Sequence, residues 1–442
     1  MFRFEGTSRP VKTMWVQLLL AALAANFGVA AFSVGPVGRR TRFIAGNEQK
    51  NTVSATGSVE TRRLSGILGA SVSATGNDKM ESLRRSVDEL KQVLEREYIS
   101  FFDPMERDYY APSVTFEDPL TSLAGVDSYQ NNVDMLASRT LLGKVLFQDA
   151  GIILHDVSGG EISTKEDGSV EISDLTTRWT LRMTAKILPW SPTARFSGIS
   201  VYKVRVGGPK CVQIYKQEDY WDSINLQDPT SRSKSSNTAS NMGYVKVEKT
   251  KALGDFLNQL KPDNGFNAPS AGPELPYSLL RRGDGYEVRR YPAFIAAVTA
   301  YERRDEGYLT LGAFTTGMSP LAPAILQIPK DSRRAKKMVW PLSYETPGQT
   351  SKKEKIVEGN EDVQVIAFPE RVVAVGTFSE ASIEPVVRRC DADLRKSCAR
   401  DGLCLVDSDE VSVEFAQYDA VYTMGKRRGE VWIELEKGTH PW

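Results

Sequence analysis

The feature that most constrains this chain is an internal repeat. The run Tyr286-Glu287-Val288-Arg289-Arg290-Tyr291-Pro292-Ala293-Phe294-Ile295-Ala296-Ala297-Val298 can be laid over Val363-Gln364-Val365-Ile366-Ala367-Phe368-Pro369-Glu370-Arg371-Val372-Val373-Ala374-Val375. Val288/Val365, Pro292/Pro369, Ala297/Ala374 and Val298/Val375 are identical. Tyr291/Phe368 and Ile295/Val372 are near matches, and the aromatic pair Tyr301/Phe378 follows at the same offset. Each copy reads as two short strands broken at the proline, which has no N–H to give to a ladder. A helical stretch follows each copy (307–316 and 381–402), and each helix leads to another strand (337–344 and 411–418). Two such units predict a pseudo-twofold antiparallel barrel or sheet with flanking helices. The groove between the halves is a natural ligand site.

The repeat occupies only the C-terminal part of 442 residues, which are too many for one hydrophobic core. Lys+Arg and Asp+Glu are both 56, so no net charge draws the chain to nucleic acid, and no nucleic-acid partner is expected. Cys211, Cys390, Cys398 and Cys404 form no C-x-x-C pair and read as reduced, mostly packed thiols. Cys390 and Cys398, eight apart on a predicted helix, can share a face. His155 and His440 are the only histidines and lie far apart, which argues against a His-rich metal site or a Ser-His-Asp triad.

The N-terminus reads as an address. Arg9 and Lys12 precede an apolar run from Met14 to Ala25, and small residues follow at Gly28, Ala30 and Ala31. This is the order of a secretory signal peptide. Phe32 and the basic, acid-free stretch with Arg39, Arg40 and Arg42 then resemble the bipartite plastid presequence of algae with secondary plastids. Plastid residence is the expectation over residues 1–46, with secretion as the alternative. Residues 47–77 read as disordered.

The first folded unit spans 78–224. Met80, Leu83, Val87, Leu90, Leu94, Tyr98 and Phe101 mark one helix face. Val114-Thr115-Phe116 reads as a short strand, and a second helix runs from about Asp127 to Leu141. Strand-like runs follow at 144–154, 170–188, 194–206 and 211–216. Helices followed by a curved antiparallel sheet indicate α+β. Tyr110-Ala111-Pro112-Ser113-Val114-Thr115-Phe116-Glu117-Asp118-Pro119, with Gly125-Val126-Asp127-Ser128-Tyr129, resembles the opening of a SnoaL-like cone. It is similar to the plastid and cyanobacterial domain of unknown function 2358, which implies an internal apolar pocket and no known chemistry. Asp118, Asp127, Asp156 and His155 are the candidate acid–base groups there. The plainer reading gives Asp118 to the turn before Pro119, Asp127 to capping the second helix, and His155 to a strand end. That reading is preferred, because no acid–base pair is visible.

Residues 225–276 read as a linker with one short amphipathic helix marked by Leu253, Phe256, Leu257 and Leu260, docking on a neighbouring domain. In the unit spanning 277–438, Tyr286-Glu287-Val288-Arg289-Arg290-Tyr291 resembles the opening signature of SOUL haem-binding proteins. Lys337-Met338-Val339-Trp340-Pro341-Leu342 is similar to their Lys-Met-Thr-Ala-Pro-Val strand. Tyr418-Asp419 and Arg428-Gly429-Glu430-Val431-Trp432-Ile433 resemble the closing segment. The resemblance implies a gyrase-inhibitor-like barrel and a non-covalent haem or other tetrapyrrole. Some members place an axial histidine where this chain has Arg290, so no axial histidine is expected.

A porphyrin is a flat apolar disc with carboxylates, suited to aromatic, sulfur and basic side chains. The expected walls are Leu311, Phe314, Met338, Trp340 and Tyr344, with Arg290 and Lys336 or Lys337 for the propionates. Ser351 to Asp362 reads as a solvated charged hairpin tip. The expected function is binding or carriage of a tetrapyrrole or a similar flat apolar molecule, without catalysis. One alternative is an enzyme of chlorophyll, tetrapyrrole or prenyl-lipid metabolism, a hydrolase or isomerase. The other is a plastoglobule-associated lipid-binding protein, with peripheral association to thylakoid or plastoglobule.

Overall fold

The apolar stripe near the start forms helix α1 (Gly76–Ile99) in the computed structural model, which describes residues 76–227, 237–261, 272–344, 360–408, 411–418, 427–440 and 442. The presequence and residues 351–359 of the expected 351–362 hairpin tip lie outside the described residues. Leu83, Val87, Leu90, Leu94 and Tyr98 of α1 are buried at helical spacing. Phe101, predicted on the same face, lies past the helix end at φ 54°.

The chain continues through β1 (Tyr110–Glu117), β2 (Ser122–Ala124), α2 (Val126–Leu136), α3 (Leu141–Leu146) and β3 (Phe147–Gly159). A small hairpin of β4 (Ile162–Thr164) and β5 (Val170–Ile172) follows. Then come β6 (Leu175–Ala185), β7 (Thr193–Val206) and β8 (Val212–Trp221). The larger strands form a six-stranded sheet in the order β2-β1-β8-β7-β6-β3. Only the β1–β8 pair is parallel. Residues 144–146, expected as strand, close helix α3 instead, and Thr140 caps it by accepting from the Gly143 N–H.

Short helices α4 (Asp222–Asn225) and α5 (Thr238–Asn241) lead to α6 (Lys249–Gln259). Ala252, Phe256 and Leu260 join the same core as α1. Phe256 stacks on Phe196 at 6.1 Å, and Trp190 Nε1 donates to the Leu260 carbonyl at 2.8 Å. The stretch expected as a linker therefore contributes a helix to the first unit.

The second unit comprises β9 (Ser278–Arg282), β10 (Tyr286–Tyr291), β11 (Phe294–Tyr301), α7 (Arg304–Phe314), β12 (Ala324–Pro329), β13 (Lys336–Tyr344), β14 (Gln364–Phe368), β15 (Arg371–Phe378), α8 (Glu384–Arg400), β16 (Val411–Gln417) and β17 (Gly429–Glu434). Both copies of the repeat break at their proline as expected. They then exchange partners: β10 pairs with β15, and β11 with β14. The nine strands run β14-β11-β13-β12-β16-β17-β15-β10-β9, an open order, so of the barrel or sheet expected the sheet is formed and the barrel that the resemblance implied is not closed. α+β stands as the class.

One face of this sheet packs under α7 and α8. Val387, Leu394 and Cys398 of α8 are buried against it, and Cys390 joins them. Burial pushes the Cys398 thiol up to about 12 and the Cys390 thiol up to about 11, so both are protonated packing groups. Cys211 and Cys404, expected to be packed, are exposed.

Strand β9 ties the two units together. Thr180 Oγ1 donates to the Leu280 carbonyl at 3.3 Å, and the Arg282 N–H donates to Ser197 Oγ at 2.6 Å. Arg282 makes a two-pronged pair with Asp255 at 2.8 and 2.9 Å. Deeper in, Arg178 grips Asp222 with both prongs at 2.8 and 2.5 Å, and Arg281 stands 3.7 Å from the same carboxylate. Burial works against the Asp222 charge, but the two guanidiniums outweigh it and hold the carboxyl well below its usual range. The Trp442 ring lies 5.3 Å from Arg178 and 5.5 Å from Arg281.

Candidate functional site

The predicted ligand wall depends on which side chains of β13 face α7. Along β13, Trp340 pairs with Ala297 and Lys336 with Tyr301, and all these except Lys336 belong to the core under the helices. Lys336, Met338 and Trp340 therefore share that face by the two-residue period of a strand. Lys337 alternates to the other face beside Val339, whose core lies opposite. A register shift between Ile295 and Ala296 leaves an extra residue near Leu342, so Tyr344 pairs with Phe294 and also falls on the other face. Tyr344, expected in one wall with Met338, therefore faces away from it, and of the two lysines offered for the propionates Lys336 shares the wall's face while Lys337 does not.

Arg290 is also displaced from this group. It lies on β10, separated from β13 by β12, β16, β17 and β15, and faces Glu370 at 3.6 Å. Leu311 and Met338 are fully buried, so they back the wall from inside the core. Met338 can do so because Gly307 is bare: a Cβ there would sit 2.9 Å from Met338 Cε. Phe314, Trp340 and Tyr308 are half-buried and form the surface layer. Tyr308 and Trp340 are inclined at 56° with centroids 5.8 Å apart.

Tyr308 was not singled out from sequence, although it precedes Leu311 by three in a predicted helix. The Tyr308 hydroxyl and the Trp340 Nε1–H are both shielded from solvent with no hydrogen-bond partner. Burial also pushes the Tyr308 hydroxyl far above its ordinary range, so it remains a donor. Two buried donors without acceptors, side by side, are uncommon and costly, at about 1–3 kcal/mol each.

The opposite face of the sheet carries a different arrangement. Arg289 pairs with Glu287 at 2.7 Å and Glu430 at 3.0 Å, all fully buried. Tyr418 and Trp432 both donate to Glu430 at 2.9 Å. Arg289 lies 4.2 Å over the Tyr277 ring. Burial would raise the Glu430 carboxyl, but Arg289 and Arg428 outweigh it and pull it down. This network joins β10 to β17 and reaches Glu274 through Arg428 at 2.8 Å.

In the first unit, Asp118 does shape its turn: its Oδ1 accepts from the Leu120 N–H at 2.7 Å and from Thr121 N–H. Asp127 is not the cap of α2; Gly125 occupies that position at φ 88°, and Asp127 in the first turn pairs with Arg107. His155 lies inside β3, not at a strand end, and shares a hydrogen bond with Thr180 Oγ1 at 2.8 Å. Asp156 lies in β3 beside it.

Together these features define a two-unit α+β protein whose C-terminal sheet carries an aromatic wall under a helix. Residues 273–434, the C-terminal unit, match the family model described as SOUL heme-binding protein. Residues 88–209 match the uncharacterized conserved protein family DUF2358. No curated protein matches the chain. Solved structures similar to parts of it include the EcmrR–DNA complex, at 9% identity and TM-score 0.27, covering 34% of this chain and 57% of that one. The EcmrR C-terminal domain shows 9% identity and TM-score 0.25, with 36% and 98% covered. A scytalone dehydratase-type protein from Novosphingobium aromaticivorans shows 10% identity and TM-score 0.22, with 32% and 83% covered.

Proposed function

We propose that the C-terminal unit binds haem or another tetrapyrrole non-covalently at the wall made by α7 and β13, as a carrier and not a catalyst. The observation that carries this is the pair of buried, unpaired donors, Tyr308 OH and Trp340 Nε1, set in that wall. The rings of Tyr308, Phe314 and Trp340 suit a macrocycle face. The two donors suit an acceptor on the ligand, and the exposed Lys336 on the same face suits a propionate. Neither histidine belongs to this wall: His155 lies in β3, and His440 stacks on Trp442 at 5.3 Å. Binding here goes through the macrocycle's face and edge, with no histidine–iron bond. Plastid residence, read from the basic presequence, completes the proposal.

The test is a titration of the full chain with haemin and with protoporphyrin IX, followed by Soret absorbance. Saturable one-to-one binding of both is expected. Binding of haemin alone would mean that iron ligation, not the wall, holds the ligand; binding of neither would overturn the reading.

A further inference from the structure

A cleft of about 340 Å³ opens at the far end of the N-terminal sheet, where β1 and β8 run parallel. Their register pairs Phe116 with Gln217 and Glu117 with Glu218, so Asp118, just past the end of β1, comes next beside Asp219 of β8. Both line the cleft, as does Thr121. We propose that this cleft binds a small primary ammonium ion, held by the carboxylates of Asp118 and Asp219 and the hydroxyl of Thr121.

The charge balance points to a cation. Glu117, Asp118, Glu218 and Asp219 share the lining with Lys246 and Lys249, and Lys216 reaches only the outer pair, Glu117 at 3.6 Å and Glu218 at 3.1 Å. Lys246 is committed to Glu117 at 2.7 Å and Glu218 at 2.6 Å. Lys246 and Lys249 are exposed, so the ammonium groups sit at the outer edge and the acceptors sit inside. Thr121 is only 3% exposed, and its hydroxyl stands beside the Asp118 carboxyl, whose charged form it favours, without meeting a partner in full hydrogen-bond geometry. Three inner oxygen acceptors match an ammonium group, which carries three donors and no acceptor. A metal is the poorer match: among the described residues, no three His, Cys, Asp or Glu side chains converge to hold one. Pro119, Val247 and Tyr220 complete the lining and suit a short aliphatic tail.

The acceptors are held in place beforehand. Asp118 is fixed by two backbone N–H groups. Asp219 accepts from Gln217 Nε2 at 2.9 Å, and Gln217 Oε1 in turn accepts from Tyr129 OH at 2.5 Å. Ser200, Tyr98 and Tyr202 continue this polar chain into the cone. Burial raises Asp118 to about 6, and burial with the neighbouring Asp118 charge raises Asp219 to about 7. Glu218 flanks Asp219 on its own strand, and Lys246 and Lys249 face it across the cleft. A cation entering here replaces a proton, so binding strengthens as pH rises through this range.

The experiment is calorimetric titration of the full chain with n-butylammonium chloride, with sodium butyrate in parallel. Saturable butylammonium binding is expected, at least several-fold tighter at about pH 8 than at about pH 6. Asp219→Asn should weaken it by about tenfold or more, and Thr121→Val by several-fold. Both variants should keep the parent's circular dichroism spectrum and a cooperative urea transition, which shows that the chain is folded without calling on the C-terminal reading. No saturable binding at about pH 8, equal affinity in folded Asp219→Asn, or equal binding of butyrate each overturns the proposal.

Discussion

Replacing Trp340 with phenylalanine should move stability and ligand binding in opposite directions. The indole N–H is buried and unpaired, a cost of about 1–3 kcal/mol to the unliganded protein. Trp340→Phe removes that cost and keeps an aromatic ring against Tyr308. The smaller ring gives back part of the gain, about 1 kcal/mol, because the site is only half-buried. The net expectation is a chain as stable as the parent or up to about 2 kcal/mol more stable, read as a urea midpoint with unchanged slope. A ligand that accepts from this N–H loses a hydrogen bond worth about 1–1.5 kcal/mol, so protoporphyrin affinity falls by about tenfold. A variant destabilised by more than about 2 kcal/mol with unchanged affinity would refute the reasoning, because Trp340 would then act through packing alone.

Other expectations follow from the same structure. Glu430→Ala leaves Arg289 and Arg428 without their shared carboxylate and should destabilise the chain by about 3–5 kcal/mol in urea unfolding. Gly307→Ala presses on the flexible end of Met338 but adds helix propensity, so the two effects, each about 1 kcal/mol, should nearly cancel in a thermal melt. His155 is held neutral mainly by burial, helped by Arg178 and Arg290, with its folded value down to about 4. The unfolded chain takes up that proton near 6.5, so it binds more protons as pH falls from there toward 4, and stability is lost across that window. His155→Asn should recover about 2 kcal/mol of that loss in unfolding curves compared at the two ends.

The elements that were legible from sequence are those set by local periodicity. The α1 stripe, the proline-broken strands of the repeat and the helices after them all lie close to their expected positions, because burial every 3.6 or two residues is written into the chain. What was not legible depends on pairing between distant segments. Nothing local says that β10 joins β15 and β11 joins β14. Nor does a short run such as Ser278–Arg282 announce that it will tie two units together. The candidate wall shows the same limit. The helix and strand carrying Leu311, Phe314, Lys336, Met338 and Trp340 were found, but one extra residue near Leu342 turns Tyr344 away. Tyr308 gained its significance only when α7 placed it against Trp340. Asp118 was read correctly as a turn residue, while its neighbour Asp219 was missed because the parallel β1–β8 pairing joins segments distant in sequence.

The most direct test of the central claim is hydrogen exchange of the full chain with and without saturating protoporphyrin IX. Protection gained over 304–314 and 336–342 is predicted, with the N-terminal strands unchanged. Protection in the N-terminal unit alone, or at 286–291 around Arg290 without any at α7, would contradict the α7–β13 site.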